Sequence, residues 1–264
     1  MTPTPAQHIR SRDNAFVKDL RRLSLDSTAY RKQGRFWLEG EHLCRSALLR
    51  GVRPVMAVFS ESFWPAAPLE WTQAAAQNII LADALFAEVS ALESPASVGF
   101  VFDLPAAPQL QPEVASVILD RLQDAGNVGS ILRSASAFGF RQVIALKGTS
   151  ALWSPKVLRA GMGAHWGLQL IEGADLSTLA ALAVPIVVTS SHRGAFLHRT
   201  QQDKAMAMPC AWAFGHEGQG VSAELEALAH SHIRIAQPGG EESLNVAAAA
   251  AICLHAASTV LLAR

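Results

Sequence analysis

The chain has no surplus charge of either sign. Its 22 lysines and arginines balance 22 aspartates and glutamates, so no global basic field announces a polyanionic partner and any such signal has to be local. Cysteine is scarce. Cys44, Cys210 and Cys253 lie far apart, form no C-x-x-C pair and show no zinc-ligand spacing. Three scattered cysteines argue against a disulfide framework and for reduced core thiols in a cytoplasmic protein. The N-terminal stretch MTPTPAQHIRSRDN lacks the apolar core of a signal peptide. The one long apolar run, Val246–Ala263, approaches the length of a membrane span. It is mostly alanine, carries His255, Ser258 and Thr259 and follows a glycine-rich turn, so a buried or interface helix is expected and no membrane partner. The dinucleotide fingerprint G-x-G-x-x-G is missing. GMGAHWG at Gly161–Gly167 resembles it loosely and has no strand before it.

Half of the 264 residues are apolar, enough for one large or two modest packed domains. The first part reads as a small α/β unit. NAFVKDLRRL has helical spacing at Phe16, Val17, Leu20 and Leu23, GRFWLEG reads as a strand, EHLCRSALLRG as a helix closed by Gly51, and VMAVFS and VGFVFDL as strands. The proline-rich PAAPQLQPE that follows marks a boundary. The expectation is a first domain over 1–104, a linker over 105–112 and a second domain over 113–264.

The second part alternates more clearly. SVILD, QVIAL, LQLIEG, PIVVTS, CAWAFG and HIRIAQ read as strands. NVGSILRSASAFGF, SPKVLRAG, DLSTLAALA and SAELEALAH read as helices, and a last helix begins near Ser243. Such alternation predicts a mostly parallel sheet covered on both faces. Ligands bind beyond the carboxyl ends of such strands. Three glycine-bearing turns lie there: QDAGNVGS, GHEGQGVS and QPGGEESLN.

Each turn admits a plain reading beside a functional one. In the first, Val128, Ile131, Leu132, Ala135 and Phe138 form one helical face, Asn127 sits where an N-cap is expected, and Arg133 lies off the apolar stripe. Arg133 fits a solvated surface arginine as well as a forked cation for phosphate or a developing oxyanion. The second turn packs Gly215, Gly218 and Gly220 around Glu217, which suits a tight turn or a close approach to a ligand. In the third, Ser243 would cap the alanine helix, and Asn245 would be a mild helix liability unless it faces a ligand.

Taken in order, DAGNVGSILRSASAFG, FGHEGQG and IAQPGGEESLNVAAAAAI resemble the three signature motifs of the SpoU (TrmH-type) branch of the SPOUT methyltransferases, over about Val117 to Ala263. IAQPGG departs from the family's usual third motif, and Ala247 stands where a serine is common; the Ser-Leu-Asn is intact. The resemblance implies an α/β domain with a deep trefoil knot and a homodimer. It implies transfer of a methyl group from S-adenosylmethionine to a ribose 2′-hydroxyl of RNA, 23S rRNA first and tRNA as the alternative, with no metal. By the same resemblance Gly215, Ile235 and Leu244 contact the cofactor, with Thr189, Glu217, Gly218 and Gln237 beside them. Arg133 is the catalytic arginine, acting across the dimer interface, with Asn245, Ser243 and Asn127 orienting the hydroxyl and the arginine, and Glu217 fixing the loop or Asn127. No cysteine matches a nucleophile motif.

The N-terminal part resembles the small ribosomal-protein-like RNA-binding module that precedes the knotted domain in many members. Between Arg10 and Arg35 eight basic residues face three acids, a local excess of five. Arg12, Lys18, Arg21, Arg22, Arg31, Lys32 and Arg35 are the predicted RNA contacts. Phe36 and Trp37 are candidates for base stacking, with strand core expected for at least one of them.

Overall fold

The computed structural model describes residues 6–203, 206, 208–239 and 244–262. The chain forms two compact units, one up to Ala106 together with Trp153–Trp166, the other Ala107–Leu152 together with Gly167 onward.

The first unit carries β1 (Ala6–Ile9), α1 (Ala15–Leu25), α2 (Ala29–Gln33), β2 (Arg35–Glu39), α3 (Glu41–Leu49), β3 (Met56–Ser60), α4 (Leu69–Thr72), β4 (Gln77–Leu81), α5 (Asp83–Val89) and β5 (Val98–Asp103). Its sheet runs β1-β4-β3-β5-β2, with β5 antiparallel to β3 and β2 and the other pairs parallel. α1 starts where Asn14 accepts the N–H of Phe16 at 2.9 Å and buries Val17, Leu20 and Leu23, the stripe that its spacing predicts. α2 stops at Gly34, whose φ of 63° suits a residue without Cβ. Phe36 and Trp37 are both core, at 1% and 2% exposure. Neither is free to stack on a base, because β2 is covered on both faces.

The second unit carries β6 (Ser116–Asp120), α6 (Ala125–Ala137), β7 (Gln142–Leu146), β8 (Gln169–Ala174), β9 (Ile186–Thr189) and β10 (Ala195–Phe196). Between β7 and β8 the chain makes α7 (Pro155–Gly161). This helix lies in the stretch that packs with the first unit, where Trp153 and Trp166 stack on Phe36 at centroid distances of 4.8 and 5.9 Å. α8 (Leu197–Gln202), β11 (Ala211–Gly215), α9 (Ala223–Glu226), β12 (Ser231–Arg234) and α10 (Val246–Leu262) complete the chain. DLSTLAALA forms a 3-10 turn over Leu176–Ala181. Among the described residues no helix is long and apolar enough to cross a membrane.

All pairs in this seven-stranded sheet, ordered β10-β12-β9-β11-β6-β7-β8, are parallel. β6, β7 and β11 are buried at every position, as the nearly continuous apolar runs SVILD, QVIAL and AWAFG require. The buried Gln142 is fully used. Its amide nitrogen donates to Ser116 Oγ at 2.8 Å and Gln111 O at 3.2 Å, and its oxygen accepts Gln111 N at 2.8 Å. That exchange ties part of the predicted linker to the sheet. The three thiols are buried. Burial pushes Cys44 well up and Cys210 and Cys253 to about 12, so none is a thiolate at neutral pH.

Candidate active site

Strands β12, β9, β11 and β6 are consecutive neighbours and parallel, so their carboxyl ends open on one edge. Thr189 ends β9, Gly215 ends β11, Asp120 ends β6, and Ile235 follows the end of β12. Residues far apart in sequence therefore converge by topology alone. Thr189 Oγ1 donates to Ala213 O at 3.1 Å and pins two of these ends together. At Gly215 a Cβ would overlap the backbone of Gly220 and Val221, which is why the turn HEGQG folds back so tightly on β11.

The centre of the edge is a relay of side chains. Asp124 caps α6, accepting Asn127 N at 2.7 Å. Asn127 is therefore not the cap, as its place before the apolar stripe suggested. It sits in the first turn with its side chain free for other partners. Asn127 Nδ2 donates to Glu217 Oε1 at 3.2 Å, and Asn127 Oδ1 accepts Asn245 Nδ2 at 3.0 Å. Asn245 Oδ1 in turn accepts the N–H groups of Ala247 and Ala248 at 2.9 and 3.2 Å. Asn245 is the N-cap of α10 and no liability to it. Ser243, the other candidate, lies outside the described residues.

The helix sets the direction of the whole relay. Its N–H groups force the oxygen of Asn245 towards them, so the amide nitrogen faces Asn127. Asn127 must then turn its oxygen to Asn245 and its nitrogen to Glu217. Glu217 also accepts Asp124 N at 3.2 Å and Gln123 N at 3.3 Å. Burial works upward on its carboxyl, and it is outweighed by the donors from its own backbone, Asn127, Asp124 and Gln123, which together hold it below the usual glutamate value. Glu217 is thus a carboxylate stitching the β11–α9 turn to the start of α6.

Arg133 stands apart from this cluster. It is exposed on α6, and among the described residues it makes no hydrogen bond or ion pair. Six residues beyond Asn127, it is displaced by about 9 Å along the helix and about 120° around it. Among the described residues it makes no hydrogen bond to its own chain's Asn127 or Glu217, whose partners are each other, Asn245, Asp124 and Gln123.

The remaining candidates lie on the same turns. Gln237 Oε1 is buried without a hydrogen-bond partner among the described residues, and such an acceptor suits an exocyclic amine. Leu244 is an exposed large apolar side chain at 39% exposure, suited to cover a ring face. Ile235 is half-buried, and Gly218 is exposed at the tip of the β11–α9 turn. Two residues here, Asp120 and its neighbour Arg121, went unnoticed in the sequence. Asp120 is an acid ending an apolar strand, and its carboxylate is buried. It accepts Ser222 N at 2.6 Å and Arg121 Nε at 3.1 Å.

In the first unit most of the predicted RNA contacts already have acidic partners. Arg12 pairs with Glu88 at 2.7 Å, Lys18 with Asp13 at 3.1 Å, Arg22 with Asp19 at 3.3 Å and Arg35 with Asp103 at 3.0 Å. Arg31 Nε donates to Tyr30 OH at 3.0 Å, and its guanidinium lies 5.4 Å from that ring's centre. Lys32 is exposed, and Arg21 is exposed with no partner among the described residues. Arg12, Lys18 and Arg21 line one groove between α1 and α5.

The chain is similar to known RNA methyltransferases along nearly its whole length. The chain is 29% identical over 253 residues to the 23S rRNA (guanosine(2553)-2′-O)-methyltransferase RlmP of Bacillus subtilis, covering 94% of this chain and 98% of that one. A crystal structure of an RNA 2′-O ribose methyltransferase superposes with a TM-score of 0.78 at 27% identity, over 97% of this chain and all of that one. The fold also matches an AdoMet-bound rRNA methyltransferase from Sinorhizobium meliloti, with a TM-score of 0.82 at 24% identity over 97% and 98% of the two chains. The model of an MRM3-like substrate binding domain matches residues 14–99. The model of the SpoU rRNA methylase family matches residues 115–255. That span is over half the chain and holds all three turns that build the relay: the chain belongs to the SpoU rRNA methylase family.

Proposed function

We propose that the chain is an S-adenosylmethionine-dependent methyltransferase acting on a ribose 2′-hydroxyl of large-subunit ribosomal RNA. The observation that carries the reading is the Asn245–Asn127–Glu217 relay, which joins the three turns at the carboxyl edge of the sheet. Family membership supplies the reaction class, and a 23S rRNA enzyme matched along nearly its whole length supplies the RNA.

When bound, S-adenosylmethionine supplies an electrophilic methyl group. The chain's task is then to align a weak nucleophile and stabilise the charge developing on it. Thr189, Gly215, Glu217, Gly218, Ile235, Gln237 and Leu244 would hold the cofactor. Asn127 and Asn245 present fixed amides at the mouth, and Ser243 is proposed to help orient the hydroxyl. Arg133 carries a permanently charged guanidinium and is therefore a poor base. Its role is a fixed positive charge for the 2′-oxygen and the neighbouring phosphate.

Arg133 is exposed and makes no contact with its own relay among the described residues, which supports a reading in which it serves the site of a second copy and the working unit is a homodimer. The C-terminal segment is read as knotted. β12 comes later in the sequence than β9 and β10 yet lies between them, the strand order that threading through a loop produces. The segment 1–104, which makes up most of the first unit, is read as the RNA-binding domain, with 105–112 as linker and 113–264 as the methyltransferase domain. Arg21 and Lys32 are its most available cations. Free buried thiols and a ribosomal substrate support a cytoplasmic location.

The test is methyl transfer from labelled cofactor to an in vitro transcript of 23S rRNA, followed by nucleoside mass spectrometry. Label on a ribose supports the reading; label on a base, or on tRNA only, overturns the reaction or the substrate respectively.

A further inference from the structure

Among the described residues only Arg121 and Met162 combine a side chain with positive φ, and Arg121, at 60°, directly follows β6. That backbone region favours glycine and is unfavourable for an arginine. Strain of this kind persists where surrounding contacts impose it, and it concentrates at functional sites. Here the contacts are explicit. Arg121 N donates to Thr149 Oγ1 at 3.1 Å, Nε to Asp120 Oδ1 at 3.1 Å and Nη1 to Gln219 Oε1 at 3.2 Å. The stem lies against Gly148, where a Cβ would come within 3.3 Å of Arg121 Cγ. Asp120 and Gln219 thus fix the guanidinium, and Thr149 fixes the backbone that carries it.

The buried Asp120 explains part of this, because a buried carboxylate needs a counter-charge. It does not explain the remainder. A guanidinium carries five N–H groups, and these contacts use two of them. The other three, both on Nη2 and the second on Nη1, have no partner among the described residues. The side chain is 36% exposed. It stands two residues before Gln123, whose N–H is held by Glu217. An oriented guanidinium edge with free donors, set beside the relay, has the geometry for a bidentate phosphate contact.

We infer that Arg121 binds a phosphate of the RNA strand next to the target nucleotide, in the same subunit as the relay. The inference rests on the RNA methyltransferase reading above. It predicts a salt signature, since each phosphate neutralised adds about 0.7 to 0.9 to the slope of log affinity against log salt.

The test measures binding of an in vitro transcript of 23S rRNA over a range of KCl, with methyl-transfer kinetics and S-adenosylmethionine affinity in parallel. Arg121→Gly tolerates the positive φ and removes the charge. It is expected to raise the RNA KM at least tenfold and to lower the salt slope by about 0.7 to 0.9, with cofactor affinity within twofold of wild type. Arg121→Lys keeps a point charge, so it should retain the slope while losing part of the affinity. An unchanged slope and KM in Arg121→Gly overturns the inference. So does cofactor affinity falling in step with RNA affinity in both variants, because Arg121 would then be only a prop for Asp120. A wild-type enzyme that leaves ribose unmodified is a different failure, which removes the RNA reading and this inference with it.

Discussion

The side-chain amides of Asn245 and Asn127 meet at 3.0 Å although 118 residues separate them. One end of this pair is anchored by the first N–H groups of α10 and the other by the carboxylate of Glu217. Neither amide can flip without breaking a bond to its anchor. The site is thereby preorganised by a helix cap, which is a structural device in most proteins and here also sets the polarity of a functional surface.

The first prediction separates those two duties. Asn245→Asp keeps an oxygen for Ala247 and Ala248 but no longer donates to Asn127. Its melting temperature should stay close to wild type, while methyl transfer falls about 100-fold, the scale expected for a misaligned reacting group. Asn245→Ala loses the cap as well, at about 1 kcal/mol, which lowers Tm by roughly 2–4 °C in a chain of this size. Calorimetry and turnover of the two variants check this. Full activity in Asn245→Asp would leave Asn245 as a cap alone.

The second concerns Glu217. Its folded-state pKa lies below the ordinary glutamate value of 4.5. The stabilisation it contributes is therefore complete above that value and is lost as pH falls through the lower, folded value. Glu217→Gln sets an amide nitrogen against N–H donors at every pH. The stability gap between wild type and Glu217→Gln should be constant from pH 7 to about pH 5 and narrow below that. Thermal melts across this range measure it. A gap that widens on acidification would mean that the carboxylate is not held ionised.

Much of this was legible in the sequence, and the exceptions have physical causes. The fully buried strands β6, β7 and β11 are apolar runs bounded by turns, so both their place and their parallel pairing could be read. β4 was missed because QNIIL is a short run between alanines, where strand and helix patterns look alike. The two-residue β10 has no pattern to find. The helix starts were read with the wrong caps. Asp124 and Asn127 are both good capping residues three positions apart, and only the carboxylate of Glu217, from another turn, decides which is freed. The basic cluster looked stronger in sequence than it is, since Glu88 and Asp103 reach Arg12 and Arg35 from distant strands and helices. Arg121 gave no sign at all, because left-handed backbone on an arginine is a property of the assembled loops.

The third prediction tests the tight β11–α9 turn. Gly215→Ala places a Cβ in overlap with the backbone of Gly220 and Val221, which cannot yield as a flexible side chain would. A cost of about 1–3 kcal/mol is expected, with cofactor binding lost because the turn must move. At Gly218 a Cβ would meet only the His216 ring, at 3.8–3.9 Å. Gly218→Ala should therefore melt within about 0.5 kcal/mol of wild type. Equal destabilisation of the two variants would show that the crowding at Gly215 is not what shapes the turn.

The last prediction addresses where Arg133 acts. Its exposure and lack of partners mean that Arg133→Ala should leave Tm nearly unchanged, within about 0.5 kcal/mol. Removing one preorganised charge from a developing oxyanion costs on the order of 100- to 1000-fold in turnover, and cofactor affinity should not change. Because the exposed guanidinium makes no contact with its own relay among the described residues, the proposal is that each subunit supplies it to the other. Arg133→Ala and Glu217→Gln homodimers would each be inactive. Co-refolding the two chains yields a mixed dimer in which one site has both an intact relay and a partner's arginine. About a quarter of wild-type turnover should then return, since statistical mixing makes half the dimers hybrid and each hybrid has one complete site. If mixing restores nothing, Arg133 acts within its own chain, and the helix must bend or the relay must move to meet it.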